Sequence, residues 1–280
     1  MNAKDSIVAL RSSEVVSVDG CRIAYWQGGN PAGLPIVLLH GFALDHTVWS
    51  TLCAQDGFLD RCHVVLPDLR GHGMSGRALS AEGYADGRAW ADDLDAVIRA
   101  SGLHRPAVLA WSYGGRMLLD YVRHYGSGAL RCANLVAAAS LADPRVLGPD
   151  HTVLADLCAG EVAVANAAAD RFIREVLRTA AGTQRYRTLS AAIASIPAGQ
   201  RAWLRNRRLD YDDVVAQLDL PVLVSHGVCD TVILPAHAGN VQQAIGGAWV
   251  SLYEDAGHAP FLDDPERFAS ELIAFVARVA

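Results

Sequence analysis

A chain of 280 residues, half of them hydrophobic, is long enough to bury a large core, and one α/β domain with an insertion accounts for its length. The net charge of −6, with most basic residues interleaved among acidic ones, argues against a nucleic-acid partner, and no uncharged apolar run approaches the ~18 to 20 residues that would cross a bilayer. Six cysteines (Cys21, Cys53, Cys62, Cys132, Cys158 and Cys229) stand singly, without C-x-x-C or metal-finger spacing, and read as reduced thiols of a cytoplasmic protein that holds no metal.

In chain order, residues 1–6 contain one lysine and are followed by only Ile7-Val8-Ala9-Leu10 before Arg11, too short for the apolar region of a signal peptide. Residues 15–18 and 22–26 flank Asp19-Gly20, which predicts an antiparallel pair joined by a two-residue turn. Pro35-Ile36-Val37-Leu38-Leu39 is a continuous apolar run, as in a strand buried on both faces, and it ends in His40-Gly41-Phe42. A short helix is expected from Val48 to about position 52. Residues 63–67 form the next buried strand, ending in Asp68-Leu69-Arg70-Gly71-His72-Gly73-Met74-Ser75. Trp90, Leu94, Val97 and Ile98 recur with the period of an amphipathic helix. An apolar strand over 107–111 then runs into Ser112-Tyr113-Gly114-Gly115, after which Met117, Leu118, Tyr121 and Val122 mark a second helix.

Residues 133–139 give another strand. From 141 to 218 the chain is alanine-rich and helical in period, without a convincing strand, so it reads as a helical insertion dividing a core made of residues 1–140 and 219–280. Strand character returns at 221–226 and 249–253. A last helix opens at Pro265 and carries Phe268, Leu272, Phe275, Val276 and Val279 on one face. The alternation predicts the α/β class, a mostly parallel sheet covered by helices on both faces, with chemistry gathered at the C-terminal strand ends.

The residues directly after each buried strand are therefore the candidates for a site. Ser112 sits at a strand-to-helix turn, where a strained backbone lifts the hydroxyl out of the sheet edge and a helix N-terminus lies beneath it. Strand and helix pass close together there, which asks for small flanking residues. Gly114 meets that need on one side, and Ala110 carries one methyl more than the glycine usual in G-x-S-x-G. A nucleophilic serine needs a base and a carboxylate to orient the base. His258 follows the last strand and Asp230 is the sole carboxylate of its strand-end loop. Ser112, Asp230 and His258 come in the order that a nucleophile-elbow hydrolase requires. Asp68 precedes the serine, and its expected task is to hold the 70–73 loop. The backbone N–H groups of Phe42 and Tyr113 are the natural oxyanion donors, Gly41 leaves the loop free to aim the first of them, and the Phe42 side chain lines the acyl pocket. His40, His46, His72, His226 and His237 are read as structural or pocket-lining.

Over nearly its whole length the chain resembles the α/β-hydrolase superfamily. The pieces that carry the resemblance are His40-Gly41-Phe42, residues 68–75, Ala110-Trp111-Ser112-Tyr113-Gly114-Gly115, Asp230, Gly257-His258-Ala259-Pro260-Phe261 and Asp264-Pro265-Glu266-Arg267-Phe268. Within it the chain is most similar to the cofactor-free haloperoxidase and arylesterase-like branch, helped by Tyr121-Val122-Arg123-His124-Tyr125-Gly126-Ser127; Tyr113 stands where that branch often has Met. The resemblance implies a serine hydrolase acting on a small-molecule carboxylic ester through an acyl-enzyme, with no metal or organic cofactor, and makes residues 141–218 a cap. Cleavage of a C–C, lactone, amide or thioester bond on the same residues is the alternative, as is a non-catalytic ligand receptor. A serine at position 112 disfavours the dehalogenases and epoxide hydrolases that use a carboxylate there. In the cap, Trp203 is a candidate substrate contact, against ordinary packing beneath its helix. The basic cluster over 200–208 reads as a solvated helix face, with attraction of an acidic substrate as the alternative.

Overall fold

The computed structural model describes residues 10–208 and 210–279. The segment 1–9, on which the signal-peptide reading falls, lies outside the described residues. Among the described residues eight strands form one sheet: β1 (Arg11–Val16), β2 (Arg22–Gly29), β3 (Leu34–Leu39), β4 (Cys62–Pro67), β5 (Ala107–Trp111), β6 (Cys132–Val136), β7 (Val222–Gly227) and β8 (Trp249–Tyr253). Their order across the sheet is β1-β2-β4-β3-β5-β6-β7-β8. The β1/β2 and β2/β4 pairs are antiparallel and all the others parallel, as expected of a mostly parallel sheet. Every residue of β5, β6 and β7 is buried, so both faces of the sheet centre are covered.

The opening hairpin differs from the reading of Asp19-Gly20 as a two-residue turn. Ser17 and Cys21 still pair, with Ser17 N–H donating to the Cys21 carbonyl at 2.8 Å, so the loop is the three residues Val18-Asp19-Gly20. Gly20 takes the left-handed conformation (φ +85°) that a three-residue hairpin loop puts on its last position. The turn lies where Asp19-Gly20 indicates, and its loop is one residue longer than that pair.

The helix α1 (Gly87–Ser101) starts where the Asp86 carboxylate accepts the Arg88 N–H and ends at Gly102 in the left-handed region, a capped segment that buries Trp90, Leu94, Val97 and Ile98. It packs along α2 (Gly114–Tyr125), the helix that follows Ser112. Between β6 and β7 the chain forms α3 (Val162–Arg171), α4 (Gln184–Ala194), α5 (Ala198–Arg205) and shorter turns, and its sole strand-like feature among the described residues is one isolated bridge, Leu147 to Ile233. Then come α6 (Ala236–Ile245) and α7 (Pro265–Arg278), the latter capped by Asp264 and burying Phe268, Leu272, Phe275 and Val276.

Two histidines buried without charge make the fold acid-sensitive. His72 Nδ1–H donates to the Arg70 carbonyl at 3.1 Å, and burial together with neighbouring His40 pushes its pKa down to about 3. Burial, with His226 nearby, pushes His237 down to about 4. Both folded values lie below the ordinary 6.5, so below that pH the unfolded chain binds more protons and stability is lost as pH falls from about 6.5 towards 4 and 3. At pH 5 each site should cost roughly 2 kcal/mol. A urea midpoint clearly lower at pH 5 than at pH 7.5 is the expected result, and equal midpoints would contradict it.

Candidate active site

Ser112 has a φ of +50°, the left-handed region that a residue with a side chain rarely adopts, as a sharp strand-to-helix turn demands. The turn is held from both sides: Ser112 N–H donates to the Val136 carbonyl, and the Ser112 carbonyl accepts from Gly115 and Ala139, each at 3.0 Å. A Cβ at Gly114 would lie 2.7 Å from the Leu39 carbonyl oxygen and 2.9 Å from that of His40, so the start of α2 can approach the end of β3 because this residue has no side chain. On the other flank Ala110 is fully buried in β5, opposite Leu39, and its methyl is accommodated.

His258 follows β8 and is brought to the serine by two contacts. Trp111 Nε1–H donates to the His258 carbonyl at 2.8 Å, tying the loop to the residue before Ser112. At Gly227, the last residue of β7, a Cβ would stand 2.1 Å from the Gly257 carbonyl oxygen, so the histidine loop lies directly on that strand end. The result is that Ser112 Oγ lies 3.0 Å from His258 Nε2, and His258 Nδ1 lies 2.8 Å from Asp230 Oδ2.

Asp230 is fully enclosed by donors. Its Oδ1 accepts the N–H groups of Val232 (2.8 Å) and Ile233 (3.1 Å). Its Oδ2 faces His226 Nε2 at 3.1 Å as well as His258. Burial raises its pKa, but His258 and His226 more than offset this and hold the carboxyl well below the ordinary carboxylate range. From the sequence His226 reads as structural or pocket-lining. It shares its Nε2–H between Asp230 and the Ile233 carbonyl (2.8 Å), a role that its spacing of four residues from Asp230 could have suggested had the loop been recognised as a tight return.

Asp68 holds its own loop. It accepts Met74 N–H at 2.8 Å through Oδ2, and His46 N–H and Nδ1–H at 2.8 Å through Oδ1. His40 Nδ1–H donates to the Gly41 carbonyl and its Nε2 accepts from Leu69 N–H, so it too is a structural residue. Gly41 has another function than the loop freedom expected of it. A Cβ there would meet the Trp111 ring at 3.0 Å, so glycine is required for room, while the positive φ in the loop falls on Ala43 (+59°).

Ser112 opens into a cavity of about 250 Å³ whose apolar wall includes Phe42, Leu141, Val146 and Ile233. The Phe42 and Tyr113 rings stand 5.8 Å apart at its edge, and Tyr113 Oη–H donates to the Leu204 carbonyl at 2.8 Å, joining the serine turn to α5. Neither the Phe42 nor the Tyr113 backbone N–H has an acceptor among the described residues. Trp203 is not in the cavity wall. Its ring lies 6.4 Å from that of Tyr84 and packs on the core, so the substrate-contact reading gives way to the packing one. The basic cluster also departs from a solvated face: Arg201 and Arg207 are buried, and Arg205 and Arg207 line the cavity, because α5 turns this side towards the serine. Among the described residues no group of three or more metal-ligating side chains is gathered, and no helix is long and apolar enough to cross a membrane.

Comparison with known proteins gives the same architecture. The chain is 27% identical to a non-heme chloroperoxidase of Streptomyces lividans, covering 94% of this chain and 98% of that one. It is 26% identical to a pimeloyl-[acyl-carrier protein] methyl ester esterase of Pectobacterium carotovorum, with 90% and 97% covered. The crystal structure of an esterase from Rhodococcus sp. ECU1013 superimposes with a TM-score of 0.87 at 32% identity, covering 97% of this chain and all of that one. The family profile described as the alpha/beta hydrolase fold matches residues 35–265, and with so much of its length matched this chain belongs to that family.

Proposed function

We propose that this protein is a serine hydrolase that cleaves a small-molecule carboxylic ester through an acyl-enzyme. The observation that carries the proposal is the unbroken hydrogen-bond path from Ser112 through His258 to Asp230 at the mouth of a partly apolar cavity. The names of the esterase relatives support an ester as the bond attacked.

In this reading Ser112 Oγ–H donates to His258 Nε2, while His258 Nδ1–H donates to Asp230, fixing the tautomer that can receive the serine proton. As Oγ adds to the ester carbonyl, the proton passes to His258 and the imidazolium is stabilised by the Asp230 carboxylate. The oxyanion that forms is met by the free N–H groups of Phe42 and Tyr113, aided by the N-terminus of α2. His258 then protonates the departing alcohol, and a water activated by the same imidazole hydrolyses the acyl-enzyme. His226 is a positioning residue in this scheme, since it steadies the carboxylate and touches no reacting atom. Residues 141–218 act as the cap, closing over the acyl group and limiting the entry of water.

A fluorophosphonate probe tests the nucleophile directly. Intact-mass and peptide analysis should show one adduct per chain, on the peptide containing Ser112, and none in Ser112→Ala. Failure of the wild-type protein to label would refute covalent catalysis and favour a non-catalytic binding role.

A further inference from the structure

We infer that the substrate carries an anionic group, a carboxylate in the simplest case, a few bonds from the carbonyl that Ser112 attacks. The inference rests on the ester-hydrolase reading above and adds the substrate class to it. Its basis is an excess of positive charge in the cavity wall, from buried Arg207 and half-buried Arg116 and Arg205. Arg116, Arg205 and Arg207 all line the space that Ser112 opens into, and among the described residues no Asp or Glu lines it. Arg207 donates through Nη2 to buried Asp120 at 2.6 Å, the one carboxylate among the described residues that pairs with any of the three. Arg116 gives one hydrogen bond, Nη1–H to the Arg207 carbonyl at 3.1 Å, and its guanidinium lies 4.7 Å from the centre of the Tyr113 ring. Arg205 has neither a hydrogen bond nor an ion pair from its side chain to the described residues.

Several donors at this wall are left without a partner among the described residues: Arg116 Nε and Arg207 Nε and Nη1 are buried and meet no acceptor there. Guanidinium groups keep their protons, and withdrawing such charge even partly from water without a counter-charge is costly, so this arrangement is expected where a ligand supplies the missing negative charge. Burial, with the like charge of Arg207 close by, holds Arg116 below the ordinary guanidinium range, the direction expected of a cation lacking its counter-ion. A carboxylate suits the donor set because a guanidinium fork can give it two parallel hydrogen bonds.

Reach agrees with this. Arg116 lies four residues beyond Ser112, about one helical turn, which is roughly 5 to 6 Å along α2. A cavity of about 250 Å³ has room for a short acyl chain. The apolar side chains opposite, Leu141, Val146 and Ile233, would cover the methylene segment between the two ends.

The test compares kcat/KM of the full-length protein on two matched pairs: monoethyl adipate against ethyl heptanoate, with the charge on the acyl side, and 4-acetoxybutanoate against pentyl acetate, with the charge on the alcohol side. At least one anionic member should be preferred by about tenfold or more, and the pair that shows it identifies the side. Arg116→Gln should reduce that preference by about tenfold or more, chiefly through KM. Arg205→Gln, at a less buried position, should reduce it in the same direction and serves if the first variant does not fold. Hydrolysis of the neutral esters with no preference in either pair would overturn the anion site and leave the hydrolase reading intact. No hydrolysis of any ester, together with no fluorophosphonate labelling, would overturn both.

Discussion

Replacing Ser112 by Ala is expected to lower kcat for a short p-nitrophenyl ester by about 10⁴-fold or more while leaving the fold intact. The substitution removes Oγ, the atom 3.0 Å from His258 Nε2, and leaves a methyl group that no base can activate. Whatever rate remains would come from the free Phe42 and Tyr113 amides and from substrate binding. Ala inherits the backbone strain, because it too must adopt a φ near +50°. Ser112→Gly should be equally inactive yet more stable than Ser112→Ala by roughly 1 kcal/mol, since glycine takes this conformation without strain. Steady-state kinetics and urea titration of the two variants together separate the chemical role of the hydroxyl from the conformational demand of the turn. Near-normal turnover in either variant would refute Ser112 as nucleophile.

Asp230→Asn is expected to cost about 10³- to 10⁴-fold in kcat through the tautomer of His258. The carboxylate now accepts from Val232 and Ile233 through Oδ1 and faces two histidine nitrogens through Oδ2. In the variant the amide oxygen can keep the two backbone donors, which directs the Nδ2–H₂ group towards His258 Nδ1. That nitrogen must then accept, so the imidazole proton moves to Nε2 and points at Ser112 Oγ, where a base is needed. The same amide group opposes His226 Nε2–H, whose remaining acceptor is the Ile233 carbonyl. Stability at neutral pH should also fall, because a carboxyl whose pKa is depressed in the fold contributes stability above its unfolded pKa that a neutral amide lacks. Wild-type kcat in Asp230→Asn would remove Asp230 from the mechanism, while a lost thermal transition would show that its role is mainly structural.

Much of this arrangement is legible in the residues themselves. The apolar run over 107–111, the serine and the two glycines after it, and the period of Met117, Leu118 and Tyr121 are local patterns, and each becomes the element it indicates, β5, the turn and α2. The strand-end positions of Asp230 and His258 follow from the same logic, since a parallel sheet collects its C-terminal ends on one edge. Less of the surrounding shell is legible. His226 lies inside a strand pattern and Gly41 looks like an ordinary turn residue. The one contacts Asp230 only because the loop after β7 doubles back, and the other is needed only because the Trp111 ring lies above it.

The segment between β6 and β7 shows the limit most clearly. Gln200 to Arg208 is a charged helical stretch whose local pattern is that of a solvated face, and Trp203 within it has the chemistry of a pocket residue. The packing places Arg205 and Arg207 at the cavity, against the expectation of a solvated face, and sets Trp203 against Tyr84, the packing alternative. Hydrophobic period and turn chemistry, which act over a few residues, were enough to determine the order of strands and helices and the edge at which the serine, aspartate and histidine would meet. Which way a helix of mixed character faces is decided by what it packs against, here Asp120 drawing in Arg207 and the Leu204 carbonyl receiving Tyr113, and those partners lie some 90 positions away in the chain.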